Sequence, residues 1–145
     1  MKKLFIASLM VISVFTSAFA AEDITTGSSA TYMFNTNFKG ATNITWTTKG
    51  DFTKAAFTKD NQKMEAFFNS NGDLISTSTS VTINDLPTSA KRTLAKNYAT
   101  YTISEAISLD YMDETSYYVS ATNGKESKII KIAANGESSI FDTVK

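Results

Sequence analysis

Apolar and polar positions change period several times along this chain, and each change marks an element. Ala30, Phe34 and Phe38 recur at four-residue spacing with Met33 beside them, as expected for one apolar face of a helix. Ser28 or Ser29 is a natural N-cap and Gly40 a natural stop. The period then drops to two. Ile44 and Trp46 alternate with Asn43, Thr45 and Thr47, and the runs FTKAAFT, KMEAFF and DLISTSTSVTI follow, separated by Lys49-Gly50-Asp51, Asp60-Asn61 and Asn71-Gly72. Met64, Ala66 and Phe68 share one face, and Ile75, Thr77, Thr79, Val81 and Ile83 share another. Four β-rich runs joined by short turns predict an antiparallel meander.

The period returns to that of a helix in LPTSAKRTLAKNY. Leu86, Ala90, Leu94 and Tyr98 form its apolar stripe, with Lys91, Arg92 and Lys96 on the other side. Asp85 reads as its cap, and Pro87 suits the first helical turn, where a missing N–H costs nothing. Strand periodicity then resumes. Ile103, Ile107, Leu109 and Tyr111 fall on one face, and Asp113-Glu114, Asn123-Gly124 and Asn135-Gly136 turn the chain through SYYVSAT, ESKIIKIA and ESSIF. Helix and four strands thus occur twice. Asn37-Phe38 lines up with Asn97-Tyr98, and Ala66, Phe68 and Asn71-Gly72 line up with Ile130, Ile132 and Asn135-Gly136. The second copy is longer, and the extra residues are expected in its first hairpin. The predicted domain covers 28–145, with one repeat over about 28–83 and the other over 84–145.

The first Asn-Gly step lies in FNSNGDLI, where Asn69, Asn71 and Asp73 place oxygen ligands at alternate positions. A calcium loop also needs a bidentate Glu near its twelfth position and helices on both sides. Ser80 occupies that position, the flanks are strands, and AANGESS has lost the ligand series. The step therefore reads as a two-residue hairpin turn, whose residues must tolerate positive φ.

Residues 1–20 combine Lys2-Lys3, the apolar run Leu4 to Phe15 and the small-residue ending Ala18-Phe19-Ala20. This pattern predicts a secretory signal cleaved after Ala20, with 21–27 as a loose leader. The run is shorter than the roughly 20 apolar residues of a membrane span, so membrane insertion is not expected. Whether the chain stays in the periplasm or leaves the cell is open. Lys+Arg and Asp+Glu number 14 each, and removal of Lys2 and Lys3 tips the balance slightly acidic. That argues against nucleic acid, which calls for a clustered basic face.

Candidate chemistry narrows sharply because the chain has no His and no Cys. Imidazole-based triads, thiol nucleophiles and the common zinc sites are excluded, and no Gly-rich phosphate loop is present. Asp110, Asp113 and Glu114 are the densest acidic group but bracket a turn. Ser89 and Lys91 are too close in sequence to share a helix face, and Ser127 and Lys128 are adjacent on a strand. No catalytic, metal-binding or cofactor-binding residue is assigned, and no cofactor or enzyme activity is expected. Asn43-Ile44-Thr45 fits the glycosylation pattern, but Asn43 reads as an outward strand residue. Phe57 and Phe68 are expected between sheet and helices. Phe67 and Tyr118 alternate away from Phe68 and Tyr117, so one of each pair is expected outside or beneath a loop. Exposed aromatics of that kind anchor protein partners, whereas edge packing between the two halves is the plainer reading for any single one of them.

NITW, FTKAAF, MEAFFNSNGDLI, LPTSAKRTLAKNY and SYYVSA together resemble the PepSY-like family, also described as β-lactamase-inhibitor-like. The resemblance covers Phe34 to Phe141, most specifically at Trp46, at Phe68, Gly72 and Leu74, and at Leu86-Pro87. Lys39-Gly40 stands where a Pro often precedes the residue equivalent to Ala41. The resemblance implies an exported α+β protein of two α-β4 repeats, an antiparallel sheet with helices packed on one face. No inhibitory loop residue can be matched. The expected function is a non-enzymatic binding module for a protein such as a secreted hydrolase. An envelope-glycan or small-ligand binder using Trp46 or outward Tyr residues is the alternative.

Overall fold

The computed structural model describes residues 28–144; the predicted signal peptide and leader lie outside them. Helix α1 (Ser28–Asn37) is followed by β1 (Thr42–Lys49), β2 (Phe52–Lys59), β3 (Gln62–Phe68) and β4 (Leu74–Val81). A single 3-10 turn (Ile83–Asp85) leads into α2 (Thr88–Asn97), and β5 (Thr102–Tyr111), β6 (Glu114–Thr122), β7 (Ser127–Ala133) and β8 (Ser138–Val144) complete the chain. The strands form one eight-stranded sheet in sequence order, antiparallel at every pairing.

Register shows that both helices use the same face. Ala66 pairs with Thr77 and Thr77 with Asp110, while Val81 pairs with Ala106, Ala106 with Val119 and Val119 with Ile130. Side chains alternate across a strand, so these residues share one side. Under α1, Ala30, Phe34 and Phe38 pack on Ala55, Phe57, Ala66 and Phe68. Under α2, Leu86, Ala90 and Leu94 pack on Ala106, Val119, Ala121, Ile130 and Ile132. The predicted helical stripes and the placing of Phe57 and Phe68 agree with this.

Equivalent hydrogen bonds recur in the two stretches. Phe38 N–H donates to Phe34 O and Ala41 N–H to Phe38 O, as Tyr98 N–H does to Leu94 O and Tyr101 N–H to Tyr98 O. Asn69 N–H donates to Asp73 O and Gly72 N–H to Asn69 O, as Ala133 N–H does to Glu137 O and Gly136 N–H to Ala133 O.

Those last bonds correct the two-residue turn. β3 ends at Phe68 and β4 begins at Leu74, so the loop holds residues 69–73, and only Gly72 in it has positive φ (84°). The Asn69 side chain makes the difference: its Oδ1 accepts the N–H groups of Asn71 and Asp73 at 3.0 and 2.9 Å. This side-chain-closed turn spares Asn71 a left-handed backbone. The extra residues of the second stretch are also spread more widely than expected. Four residues separate Thr122 from Ser127, whereas Asp60-Asn61 alone separate Lys59 from Gln62.

Bulges move other residues. The pairing shifts between Ile103 and Glu105, so Ile103 packs with the α2 cluster while Ile107 lies on the opposite face. A shift beside Phe67 and Phe68 likewise separates Ile75 from Val81. An extra residue reverses every later side chain. The β5–β6 turn is Met112-Asp113, both at positive φ, rather than Asp113-Glu114. Asp85 does not cap α2: its carboxylate accepts Thr82 N–H and Oγ1–H at 2.9 and 2.6 Å, and Pro87 occupies the cap position.

Candidate functional site

The face of the sheet without helices carries its own apolar cluster. Phe67 on β3, Leu109 on β5, Tyr118 on β6 and Ile129 on β7 are buried there, with Ile75, Ile107 and Phe141 packed around them. Tyr118 and Phe141 meet edge to face at a centroid distance of 5.2 Å. Phe67 is 1% exposed and Tyr118 7%. Side chains so large are hidden there because they pack on one another across β3, β5, β6 and β7. Phe67 and Tyr118 are therefore core residues, which corrects the expectation that one of each aromatic pair stands outside or under a loop. Burial also pushes the Tyr118 phenol above its ordinary pKa, because the anion loses its hydration.

Beside this cluster the face opens into a cavity of about 510 Å³. Its floor on this face consists of small residues, Ala56 on β2 with Ser78 and Ser80 on β4, and the lining also takes in Phe57, Met64, Val81 and Ala106 of the helix-packed clusters. Where the flanking strands carry larger groups, such as Ile107, a row of serines leaves a depression. Thr45, Thr58, Lys63 and Glu105 supply polar walls. Lys54 and Glu65 form an ion pair of 2.9 Å at the boundary, with side chains 15% and 18% exposed. The neighbouring Ser76 is buried and donates to Asp110 O at 2.8 Å, which joins β4 to β5. The serine row is visible in the sequence as STSTS, but the β-branched residues on the other face of that strand carry the stronger signal.

The other residues singled out in the sequence are held apart or engaged in structure. Asp110 pairs across from Thr115, whose hydroxyl donates to its carboxylate at 2.6 Å. Glu114 pairs with Tyr111 on the other face, and Asp113 sits in the turn, so no carboxylate pair forms. Ser89 donates to Ala134 O at 2.8 Å, and Lys91 to Asn84 O at 3.1 Å. Ser127 donates to Thr122 Oγ1 at 3.2 Å. Lys128 instead lies 2.7 Å from Glu126 and donates to Tyr101 at 2.9 Å, while Tyr101 also hydrogen-bonds Glu126. Of the calcium-type residues, Asn69 donates through Nδ2 to the Asp73 carboxylate at 3.0 Å, and its Oδ1 accepts backbone N–H groups. Asn43 is exposed at positive φ where β1 is bulged.

Trp46 is no open stacking platform. It faces the helix side, with ring centroids 5.2 Å from Phe34 and 5.8 Å from Phe68. Among the described residues, no helix is long and apolar enough to cross a membrane, and no group of three or more metal-ligating side chains gathers. The described cavity can receive polar atoms, but it presents no activated nucleophile.

No family model and no curated protein matches the sequence significantly. Solved structures do. A BLIP-like protein from Bacteroides fragilis superposes with a TM-score of 0.75 at 21% identity, covering 83% of this chain and 88% of its own. A DUF2874 family protein from Bacteroides uniformis gives 0.74 at 13% identity, covering 82% and 88%. A protein from Bacteroides eggerthii, whose name provisionally places it in the periplasm, gives 0.72 at 13% identity, covering 87% and 89%. The chain thus has a BLIP-like fold, an antiparallel sheet with two helices on one face.

Proposed function

We propose that the protein is an exported, non-enzymatic binding module whose helix-free sheet face receives a polar loop of a protein partner. The single observation that carries this reading is the serine-floored cavity of about 510 Å³ on a face that no helix covers. Ile107, which lines the cavity, packs against the buried cluster of Phe67, Leu109, Tyr118 and Ile129, so little ordering is required on that side on association. The name of the B. fragilis neighbour supports a partner of the enzyme type, such as a secreted hydrolase, and the pattern of residues 1–20 supports export. The recurrent hydrogen bonds of the two stretches support an origin in two α-β4 units.

Immobilised protein is expected to retain one stoichiometric partner from the producing cells' exported proteins, and Ser80→Arg is expected to release it. Ser80 is exposed on the cavity floor, so the arginine fills the depression without entering the core. A partner retained equally by both forms overturns the assignment of the face. The hydroxyl-rich lining also suits a saccharide. Stabilisation by cell-wall fragments, abolished by the same substitution, would favour that second reading.

A further inference from the structure

Asn-Gly occurs at Asn71-Gly72, Asn123-Gly124 and Asn135-Gly136, and this dipeptide has a chemistry of its own. The glycine amide nitrogen can attack the Asn side-chain carbonyl carbon: a C–N bond forms, the bond to the side-chain nitrogen breaks, and ammonia leaves. Water then opens the cyclic imide to aspartate or, through the other carbonyl, to isoaspartate. The step needs a glycine N–H free of other bonds and a backbone able to rotate. The three sites differ in both respects.

Gly72 N–H donates to Asn69 O at 3.0 Å and Gly136 N–H to Ala133 O at 2.8 Å. Both glycines are also packed against a helix: a Cβ on Gly72 would lie 2.4 Å from Ser29 Cβ, and one on Gly136 would lie 3.0 Å from Ser89 Cβ. Thr93 fixes the second turn further by donating to Gly136 O at 2.6 Å. Gly124 has neither restraint. Its N–H reaches only Thr122 Oγ1 at 3.5 Å, the outer limit of a hydrogen bond, and a Cβ there would meet nothing within 4 Å. Asn123 and Gly124 are both exposed. The Asn123 side-chain oxygen accepts from Lys125 N–H and Glu126 N–H, each at 3.1 Å, which polarises the carbonyl under attack.

We infer that Asn123 is a site of spontaneous, age-dependent deamidation, and that the fold shields Asn71 and Asn135 from the same reaction. Isoaspartate at 123 would add a methylene to the main chain inside the loop closed by Asn123 N–H to Glu126 O at 3.2 Å. That loop carries the Glu126 carboxylate bound by Tyr101 and Lys128, so the modification loosens the attachment of α2's exit to β7.

The test is peptide mapping by mass spectrometry of the folded protein after incubation at mildly alkaline pH and body temperature, with a parallel sample in denaturant. Asn123 is expected to convert at least about fivefold faster than Asn71 or Asn135 in the folded protein, the factor by which one ordinary hydrogen bond suppresses the opened form. In denaturant the three rates should converge. Conversion of Asn71 or Asn135 as fast as Asn123, or an Asn123 preference that persists undiminished in denaturant, overturns the inference.

Discussion

Replacing Gly72 with Ala isolates the contact that fixes α1 to the sheet. A Cβ built at position 72 would lie 2.4 Å from Ser29 Cβ, 2.6 Å from Ala30 N and 2.9 Å from Ser29 C. Two of these three atoms belong to the helix backbone, so rotating a side chain cannot relieve the clash. The backbone is also left-handed, with φ 84°, which costs a non-glycine residue about 1–2 kcal/mol. Either the turn or the first turn of α1 must move, and overpacking of that kind adds typically about 1–3 kcal/mol. Ala30 is 4% exposed and Phe34 2%, so a shift of the helix opens the cluster beneath it. The sum is a loss of about 2–5 kcal/mol. Gly50→Ala provides the control, since Gly50 has φ 60° and a Cβ there meets nothing within 4 Å; it should cost only the backbone component of about 1–2 kcal/mol. Urea unfolding of both variants, with the slope m checked for constancy, measures the difference. If Gly72→Ala and Gly50→Ala fall equally far below the parent, the close approach of turn and helix has no energetic weight and does not fix α1.

Other consequences can be measured directly. Phe67→Ala should cost about 3–5 kcal/mol, as much as Phe68→Ala, because both faces of β3 are core; a loss under about 1 kcal/mol in chemical denaturation would mean that the helix-free cluster is superficial. The Glu126 carboxyl is held below its ordinary pKa by hydrogen bonds first from Lys128 and then from Tyr101. The stability it contributes is present above the ordinary carboxylate value and lost as pH falls through the folded one. The same contacts, Glu126 first, hold Lys128 above its ordinary pKa, so its contribution is complete below the ordinary amine value and lost only as pH rises through the folded one. Glu126→Gln should therefore flatten the acid limb of a melting-temperature profile, whereas an unaltered profile would show that the triad adds nothing to stability. High salt should weaken the same contribution, since both side chains are partly exposed.

Both helices are legible in the sequence because a stripe such as Phe34 with Phe38, or Ala90 with Leu94, is a local property. The strands are legible for the same reason, as is the agreement of Met64, Ala66 and Phe68 on one face. What the sequence conceals is each place where a single residue is inserted into the ladder. Ile103 and Ile107 are an even number apart yet face opposite sides, because the bulge before Glu105 intervenes. No residue type marks that bulge; pairing with β6 creates it. The turn at Met112-Asp113 is hidden because it places two non-glycine residues at positive φ, against local preference. The cavity is hidden for a different reason. Ser78 and Ser80 carry no apolar signal, and their small size becomes a depression only beside the larger groups that strand pairing brings up, such as Ile107.

The two faces of the sheet join the parts of the molecule differently. On the helix side, the α1 and α2 clusters are distinct, and between them β4 and β5 present Thr77, Thr79, Ser108 and Asp110. On the opposite face one cluster reaches from Phe67 on β3 through Leu109 and Tyr118 to Ile129 on β7. With the β4–β5 ladder and with Val81 of β4, which packs against the α2 cluster, this cluster couples the first helix and its strands to the second. Two-state unfolding of the whole chain therefore depends on residues that belong to neither helix-packed core. Trp46, the single Trp of the chain, packs on Phe34 and reports the α1 side alone, whereas far-ultraviolet circular dichroism reports both. In the parent the two transitions should coincide; in Phe67→Ala they should separate. Coincident transitions in that variant would show that the β4–β5 ladder suffices. Separation would show that the helix-free cluster, not the ladder alone, makes the two parts unfold together.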